Sequence, residues 1–438
     1  MASVEVRSQP NVAPIETRKR VTDAVLGGPM AWWVWALSVT FVVYLFSFQT
    51  GYAIVNPSVQ RDVGLSIAQV GSIAAIYTWA FAICQFFGGA LLDRLGARAV
   101  LPISIALVTV GILIFANATS YEMLVLSQVV IAIGSCTGFV GAGYIGGQWF
   151  GMAKFSFMFG LVQVVAALTS AFSQTLIDVS LSYMTWRNLF NFTAMFGALL
   201  FILGAIYIKN PTPVVSSAST GVGAFFTSVI RSMVEVAKIG HVWIASLVGA
   251  TAFGAMLGLG VVWAPKLLKV HGLSDFSANL GTSLLWLGLA AGSAVIPYWS
   301  DVIRRRKLPL ILGSLVQLAA LLMLFYLPMG AAAALTLCFI FGFANATHML
   351  AFSTAADVVQ PSQIGTSAAI VNGIMFILGG VLISRPGVRI GLGLEAGIEP
   401  GTLAAAQFAG RPLLIALIIA VLLSFVMKET YPRKSSEQ

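Results

Sequence analysis

Two stretches of the chain repeat at a fixed distance of 208 residues: Pro57 recurs as Pro265, Gly64-Leu65-Ser66 as Gly272-Leu273-Ser274, and Asp93 as Asp301. An offset close to half of the 438 residues means two homologous halves. Each half opens with a long apolar run, ends that run at a proline, and places an aspartate followed by arginines after the next apolar run. A parallel repeat of membrane-spanning units points to secondary transport, with the solute site between the halves.

Composition narrows the fold class further. With 58% hydrophobic residues, 9% charged residues and a mean hydropathy of +0.93, the chain is far more apolar than a soluble protein, for which about 25% charged is usual. Its apolar runs are continuous and of helix-spanning length, which excludes the ~10-residue alternating segments of a β-barrel. An all-α membrane protein is expected. Cys84, Cys136 and Cys338 fall inside apolar runs and read as small core residues. No metal-ligand cluster, nucleophile and base pair or nucleotide motif appears, so neither a cofactor nor a metal is expected and an intramembrane enzyme or ATP-driven pump is disfavoured.

Twelve spans are predicted. Those of the first half run over 31–55, 67–91, 99–117, 121–146, 155–179 and 187–207. Those of the second run over 241–263, 276–299, 308–327, 331–354, 364–384 and 407–427. The organisation is thus a tail (1–30), a six-helix bundle (31–208), a linker (209–240), a second six-helix bundle (241–427) and a short tail (428–438). A cleavable signal peptide is not expected, because some thirty mostly polar residues precede a first apolar run too long for a signal core.

Orientation follows from the cations between spans, since Lys and Arg are retained on the cytoplasmic side. With the N-terminus inside, 17 of the 24 fall on inner segments and 7 on outer ones. Both termini are therefore predicted cytoplasmic, in a plasma membrane of bacterial inner-membrane type. The net charge of +9 reflects this rule and not a nucleic-acid partner. In the linker, Asn210-Pro211-Thr212-Pro213 and a Ser-rich stretch read as flexible. Phe225, Phe226, Val229, Ile230, Met233 and Val236 then recur at helical spacing, with Arg231, Glu235 and Lys238 off the stripe. An amphipathic helix lying in the cytoplasmic interface and tethering the halves is expected.

The run Gly89-Ala90-Leu91-Leu92-Asp93-Arg94-Leu95-Gly96-Ala97-Arg98 resembles the signature loop of the major facilitator superfamily, G-x-L-x-D-R-x-G-R-[KR], missing one basic position at Ala97. Trp149-Phe150 and Trp186-Arg187 are similar to recurring features of its organic-solute and organic-anion branches. With the degenerate second loop at Asp301, Arg304 and Arg305, the resemblance covers essentially the whole chain. It implies two six-helix bundles that rock about a central site. It also implies that Gly89, Asp93, Arg94, Gly96 and Arg98 form a latch, in which Asp93 pairs with arginine and with a helix N-terminus of the other half. A negative group at a helix N-terminus is worth ~0.3–1 kcal/mol, enough to bias two conformations. The same role is open for Asp301, whose glycines are missing; the alternative is that these charges only mark the inner face.

By the predicted spans, all 15 acids and all 24 bases lie at helix ends or in loops. Ionisable groups at mid-membrane mark ion or proton routes, so carboxylate-based proton coupling is not expected. Ser127-Gln128 stand where many relatives carry an arginine, which argues against proton-driven drug export, and the eighth and eleventh spans lack the cations of dicarboxylate carriers, apart from Arg385 at an outer end. Among uncharged polar residues, Gln163 and Asn372 each lie about eight residues into a span, about 12 Å deep at 1.5 Å per residue, and are repeat partners offset by 209. They either hydrogen-bond a solute or bridge helices, at ~0.6–2 kcal/mol. His348, with Asn345 and Thr347 beside it, is the histidine inside a span; it either titrates during transport, its reference pKa being ~6.5, or packs. Tyr44, Gln49, Tyr77, Trp79 and Trp286 are candidates for a cavity lining, against helix packing or lipid contact.

The expected protein is a monomeric permease moving a small organic solute by alternating access, as a uniporter or a symporter coupled to a proton or other ion. A transporter-like sensor or assembly protein without transport, or an efflux permease, are the alternatives.

Overall fold

The computed structural model describes residues 26–211, 222–399 and 401–431. The repeated Gly-Leu-Ser proves to be a helix-to-helix turn. Gly64 takes φ 73°, a left-handed conformation that only glycine adopts freely, and ends the first helix with its N–H on the Gln60 carbonyl. Ser66 then caps the next helix by accepting from the Gln69 amide at 3.2 Å. In the second half Gly272 has φ 80° and Ser274 accepts from the Ser277 amide at 3.3 Å. The repeat therefore marks equivalent turns at one end of each bundle.

In the first half the helices are α1 (Pro29–Val63), α2 (Ile67–Leu95), α3 (Ala97–Ala116), α4 (Tyr121–Ser135), α5 (Gly138–Phe150), α6 (Phe155–Leu181) and α7 (Trp186–Tyr207). A linking helix, α8 (Val222–Ala237), precedes α9 (Gly240–Gly258), α10 (Ala264–Val270), α11 (Asp275–Ile303), α12 (Lys307–Tyr326), α13 (Ala331–Asn345), α14 (Leu350–Ala356), α15 (Ile364–Glu395) and α16 (Leu403–Val426). Among the described residues, twelve helical stretches are long and apolar enough to cross a membrane, α4 with α5 and α13 with α14 each counting as one. The protein is an integral membrane protein of two six-span bundles.

Three spans are broken, and the breaks are where the chain departs from regular pattern. The fourth breaks at Cys136-Thr137, the tenth passes through a 3₁₀ turn at Ala346–Met349, and the seventh through a π turn at Leu259–Trp263. Gly138 and Ala346, where α5 and the 3₁₀ turn begin, are 208 residues apart. At both sites side chains reach back three residues: Cys136 Sγ to the Ile133 carbonyl, Thr347 Oγ1 to Ala344 and His348 Nδ1 to Asn345. Such bonds compete with the helical ladder and loosen it.

Two expected boundaries are corrected. Pro57 does not end the first span: α1 runs through it for 35 residues to Val63. At 1.5 Å per residue that is about 52 Å, longer than the ~30 Å hydrocarbon core, so the proline sits in a projecting end. The eleventh span does not stop at 384 but continues to Glu395 through Arg385, Pro386 and Arg389. Arg389 is held there by a bond to the Phe408 carbonyl and by the Phe408 ring, 4.1 Å away. The flexible segment expected after Pro211 and most of both tails lie outside the described residues. The linker helix buries Val229 and Val236, while Phe226 and Ile230 of the expected stripe are exposed.

The halves meet through α2 against α15 and α6 against α11. Between these two contacts and the Gly-Leu-Ser turns, the inner faces of the bundles separate.

Candidate functional site

At the end of the bundles opposite the Gly-Leu-Ser turns, Asp93 leaves α2 and reaches the first turn of α15. Its Oδ1 accepts from the Gly365 amide at 2.8 Å, and its Oδ2 from the Thr366 amide and hydroxyl, both at 2.7 Å. The residue preceding α15, Gln363, supplies no side-chain cap of its own. Asp93 thus caps a helix of the other half, satisfying two of its orphan N–H groups and meeting the positive end of its dipole. Approach is close because Gly89 faces Gly365 one turn earlier: a Cβ on Gly89 would collide with the Gly365 carbonyl oxygen. Arg94 turns aside and donates to the Ser228 carbonyl of α8 at 3.1 Å. Helix α8 also touches α15, where Glu235 accepts from Gln363 at 3.0 Å, so it straddles the junction. Gly96 takes φ 75° between α2 and α3, and the Arg98 amide bonds the Asn210 side chain.

The second junction repeats the first with one difference. Ser156 and Ser353 share a hydrogen bond across the halves, and a Cβ on Gly160 would strike the Ser293 carbonyl oxygen. Asp301 lies beside Ser156 and the Phe157 amide of α6. Yet Oδ1 of Asp301 takes an ion pair from Arg306 of its own half, and Oδ2 has no hydrogen-bond partner. Arg304 and Arg305, expected to act here, are exposed. Arg304 occupies a left-handed turn, φ 53°, which throws the first two arginines outward and returns the third. Arg306 is 1% exposed and enclosed by Asp301, Asp357 and the Tyr431 ring at 4.7 Å. Glu429 accepts from the Arg306 and Lys307 amides at 2.8 and 3.2 Å and caps α12. Burial pushes the Asp357 carboxyl up to about 6, against the lowering effect of the Arg306 charge and the Thr430 hydroxyl. Nothing in a run of four cations distinguishes Arg306 by sequence.

Above these junctions the halves enclose a cavity of about 620 Å³. Of the expected residues it is lined by Gln49, Gln163, Trp286, His348 and Asn372. Tyr44 is not there: it is buried inside the first bundle, its hydroxyl 3.3 Å from Thr109 Oγ1. Tyr77 stacks on Phe81 behind the wall, Trp79 is 61% exposed on the lipid-facing side, and Asn345 donates to the Ala252 carbonyl within the second bundle. Aromatic size alone could not separate a wall from a packed core. The cavity adds Ser135, Asn279, Thr282, Ser283 and Phe253, which sequence reading passed over as ordinary span residues. The span breaks are the signal that finds some of them: Ser135 and Phe139 flank the break in the fourth span, His348 sits in that of the tenth and Gly260 in that of the seventh. Irregular backbone at membrane depth is tolerated where it lines a cavity.

Aromatic rings bridge the halves at the cavity. Phe81 meets Phe376 edge-on at 4.9 Å, and Phe352 meets Phe159 at 4.4 Å and Phe139 at 6.0 Å. Aromatic contacts thus tie the halves together at the cavity, and beyond them the two helix junctions are shut. His348 stacks on Phe253 at 4.5 Å, and its Nδ1–H donates to the Asn345 carbonyl at 2.8 Å. That leaves Nε2 as an acceptor.

The sequence profile described as Major Facilitator Superfamily matches residues 36–384. The "Uncharacterized transporter YybO" of Bacillus subtilis (strain 168) is 20% identical over 62% of this chain and 66% of its own length. The "Probable L-galactonate transporter" of Escherichia coli (strain K12) is 22% identical over 60% of this chain and 62% of its own length. The matched region thus spans somewhat less than two thirds of these relatives. Among solved structures, the human organic anion transporter MFSD10 is similar in fold, with a TM-score of 0.67 and 14% identity over 92% of this chain and all of that one.

Proposed function

The chain belongs to the Major Facilitator Superfamily, and from that premise we propose that it is a secondary permease, moving a small organic solute across a bacterial inner membrane by alternating access. The observation that carries this is the relation between the cavity and the junctions. A polar-walled space of about 620 Å³ lies between repeat-related halves, and the contacts that shut it below are two helix crossings built alike. Rocking the halves opens those crossings and closes the other end over the same site.

In this reading the Asp93 end is cytoplasmic, which supports both termini inside, and the conformation is inward-closed. Gln49, Gln163, Asn372, His348 and Trp286 contact the solute, and Asp93 with Gly89 holds the latch. The protein works as a monomer, because one chain contains both halves of the site. Among the described residues the cavity lining carries no carboxylate.

Uptake tests the reading. The purified protein in proteoliposomes should accumulate or exchange a solute first found by thermal stabilisation, and a bulky side chain at Gly89 should stop the flux. Ligand binding with no flux in any direction would replace the permease with a sensor. For orientation, Arg94→Cys should react with a membrane-impermeant maleimide only from the cytoplasmic side.

A further inference from the structure

The cavity wall holds a specific imbalance of unsatisfied groups. The amide nitrogen of Asn372, 3% exposed, has no hydrogen-bond partner, and the hydroxyls of Ser135 and Thr282 are likewise buried and unpaired. All three residues line the same space. A buried polar group without a partner is costly, and where several converge on one cavity they mark what a ligand completes. Asn372 supplies N–H donors, and the two hydroxyls donate as readily as they accept. The matching groups on a solute are acceptor oxygens. The imidazole of His348 adds a fixed acceptor, Nε2, since Nδ1 is committed to the Asn345 carbonyl.

The rest of the wall excludes charge. No Asp, Glu, Lys or Arg is among the described lining residues. Phe46, Phe81, Phe139, Phe253, Phe352 and Phe376 contribute to it from both halves. Aromatic faces carry the negative end of a quadrupole, so they repel an anion, and no cation is present to hold one. They would welcome a cation, but a cation brings donors only and would leave the Asn372 amide nitrogen, itself a donor, as unsatisfied as before. Flat apolar faces with an unpaired amide donor and a free imidazole acceptor suit one class.

We propose that the solute is an uncharged molecule with an aromatic or similarly flat apolar face, bearing a carbonyl-type acceptor oxygen for Asn372 and an N–H or O–H donor for His348. This rests on the cavity being the transport site. It departs from the name of the similar human protein, an organic anion transporter. It also makes net proton movement unnecessary for charge balance.

Three solutes of one shape test it: benzamide, benzoate and benzamidinium, titrated in the millimolar range against the purified full chain. Melting temperature and Trp286 fluorescence are the readouts, with Trp286→Phe assigning the signal. Benzamide should bind, at least about tenfold more tightly than either ion. Asn372→Leu and His348→Phe, which keeps a ring against Phe253, should each weaken benzamide by about three- to tenfold, the worth of one hydrogen bond. Tighter binding of benzoate or benzamidinium overturns the proposal. So does an absence of binding by all three, or benzamide binding indifferent to both substitutions. If benzamide binds as stated but never crosses proteoliposomes, the permease reading fails and the recognition stands. If benzoate is carried instead, the permease stands and the recognition fails.

Discussion

Asp93 accepts a hydrogen bond from the Gly365 amide at 2.8 Å, and Asp301 faces the Phe157 amide, the same pair of positions with the halves exchanged. Asp301 follows Asp93, and Gly365 follows Phe157, by the same 208 residues. One junction is saturated, with three donors on one carboxylate. The other is half made, because Arg306 has claimed one oxygen of Asp301. The conformation closed at these two junctions is therefore held unequally, and the Asp93 side carries the greater share.

Asp93→Asn should shift the conformational balance without emptying the site. The substitution removes the charge and replaces an acceptor by a donor facing the Gly365 and Thr366 amides. Charge-assisted bonds are each worth about 1.5–3 kcal/mol, so the closed state should lose population by at least tenfold. Transport rate should fall while ligand affinity of the purified protein stays within about twofold; lost binding with an intact fold would refute the latch role.

Gly89→Val should trap the protein open at the Asp93 end, since a Cβ there meets the Gly365 carbonyl. The prediction is faster labelling of a cysteine introduced at Thr366 by a membrane-impermeant reagent from the cytoplasmic side. Unchanged labelling would mean that α2 and α15 yield without parting.

Gln163→Ala and Asn372→Ala should each weaken apparent ligand affinity by about 0.5–1.5 kcal/mol, one or two hydrogen bonds. Melting temperature should move little, because water can enter the cavity. Asn372 has no partner across its amide nitrogen to lose. A drop in melting temperature with affinity intact would reassign both residues to helix bridging.

Neighbouring arginines should behave differently. Arg306→Ala leaves Asp301 and Asp357 buried without their cation, and breaking a buried pair costs about 3–5 kcal/mol. Arg305→Ala alters an exposed residue and should stay within about 0.5 kcal/mol. Melting temperatures of the two variants in one detergent decide this.

The Asp357 carboxyl titrates near 6 in the fold and near 3.9 unfolded, so the folded state holds the proton more tightly. Its contribution to stability is then fullest below about pH 4 and is lost as pH rises through 6. Comparing melting temperatures with Asp357→Asn, which cannot titrate, the unmodified protein should gain relative to the variant between pH 7 and pH 5. A difference that is flat or of opposite sign would place Asp357 among carboxylates stabilised by their partners.

The architecture was legible because it rests on long-range periodicity: apolar runs, the 208-residue echo and the Asp93 signature survive without any knowledge of packing. Depth along a span was legible too, and it brought Gln163 and Asn372 to the cavity. What depth cannot give is rotation about the helix axis. Tyr44 and Gln49 lie on one helix, yet the tyrosine turns into its own bundle and the glutamine into the cavity. Trp79 and Phe81 are two residues apart and face lipid and cavity respectively. Both faces of such a helix are apolar, so amphipathic pattern carries no phase. Arg306 was hidden for another reason: a single left-handed residue, Arg304, decides which cation of four points inward.

Glu429, Thr430 and Tyr431 come after every membrane span in the chain, yet they complete the surroundings of Arg306, more than a hundred residues earlier. During synthesis that guanidinium must wait, half neutralised, while four further spans are made and inserted. The second bundle therefore cannot mature helix by helix in the order of translation; its Asp301 end is tied off only when residues 429–431 arrive.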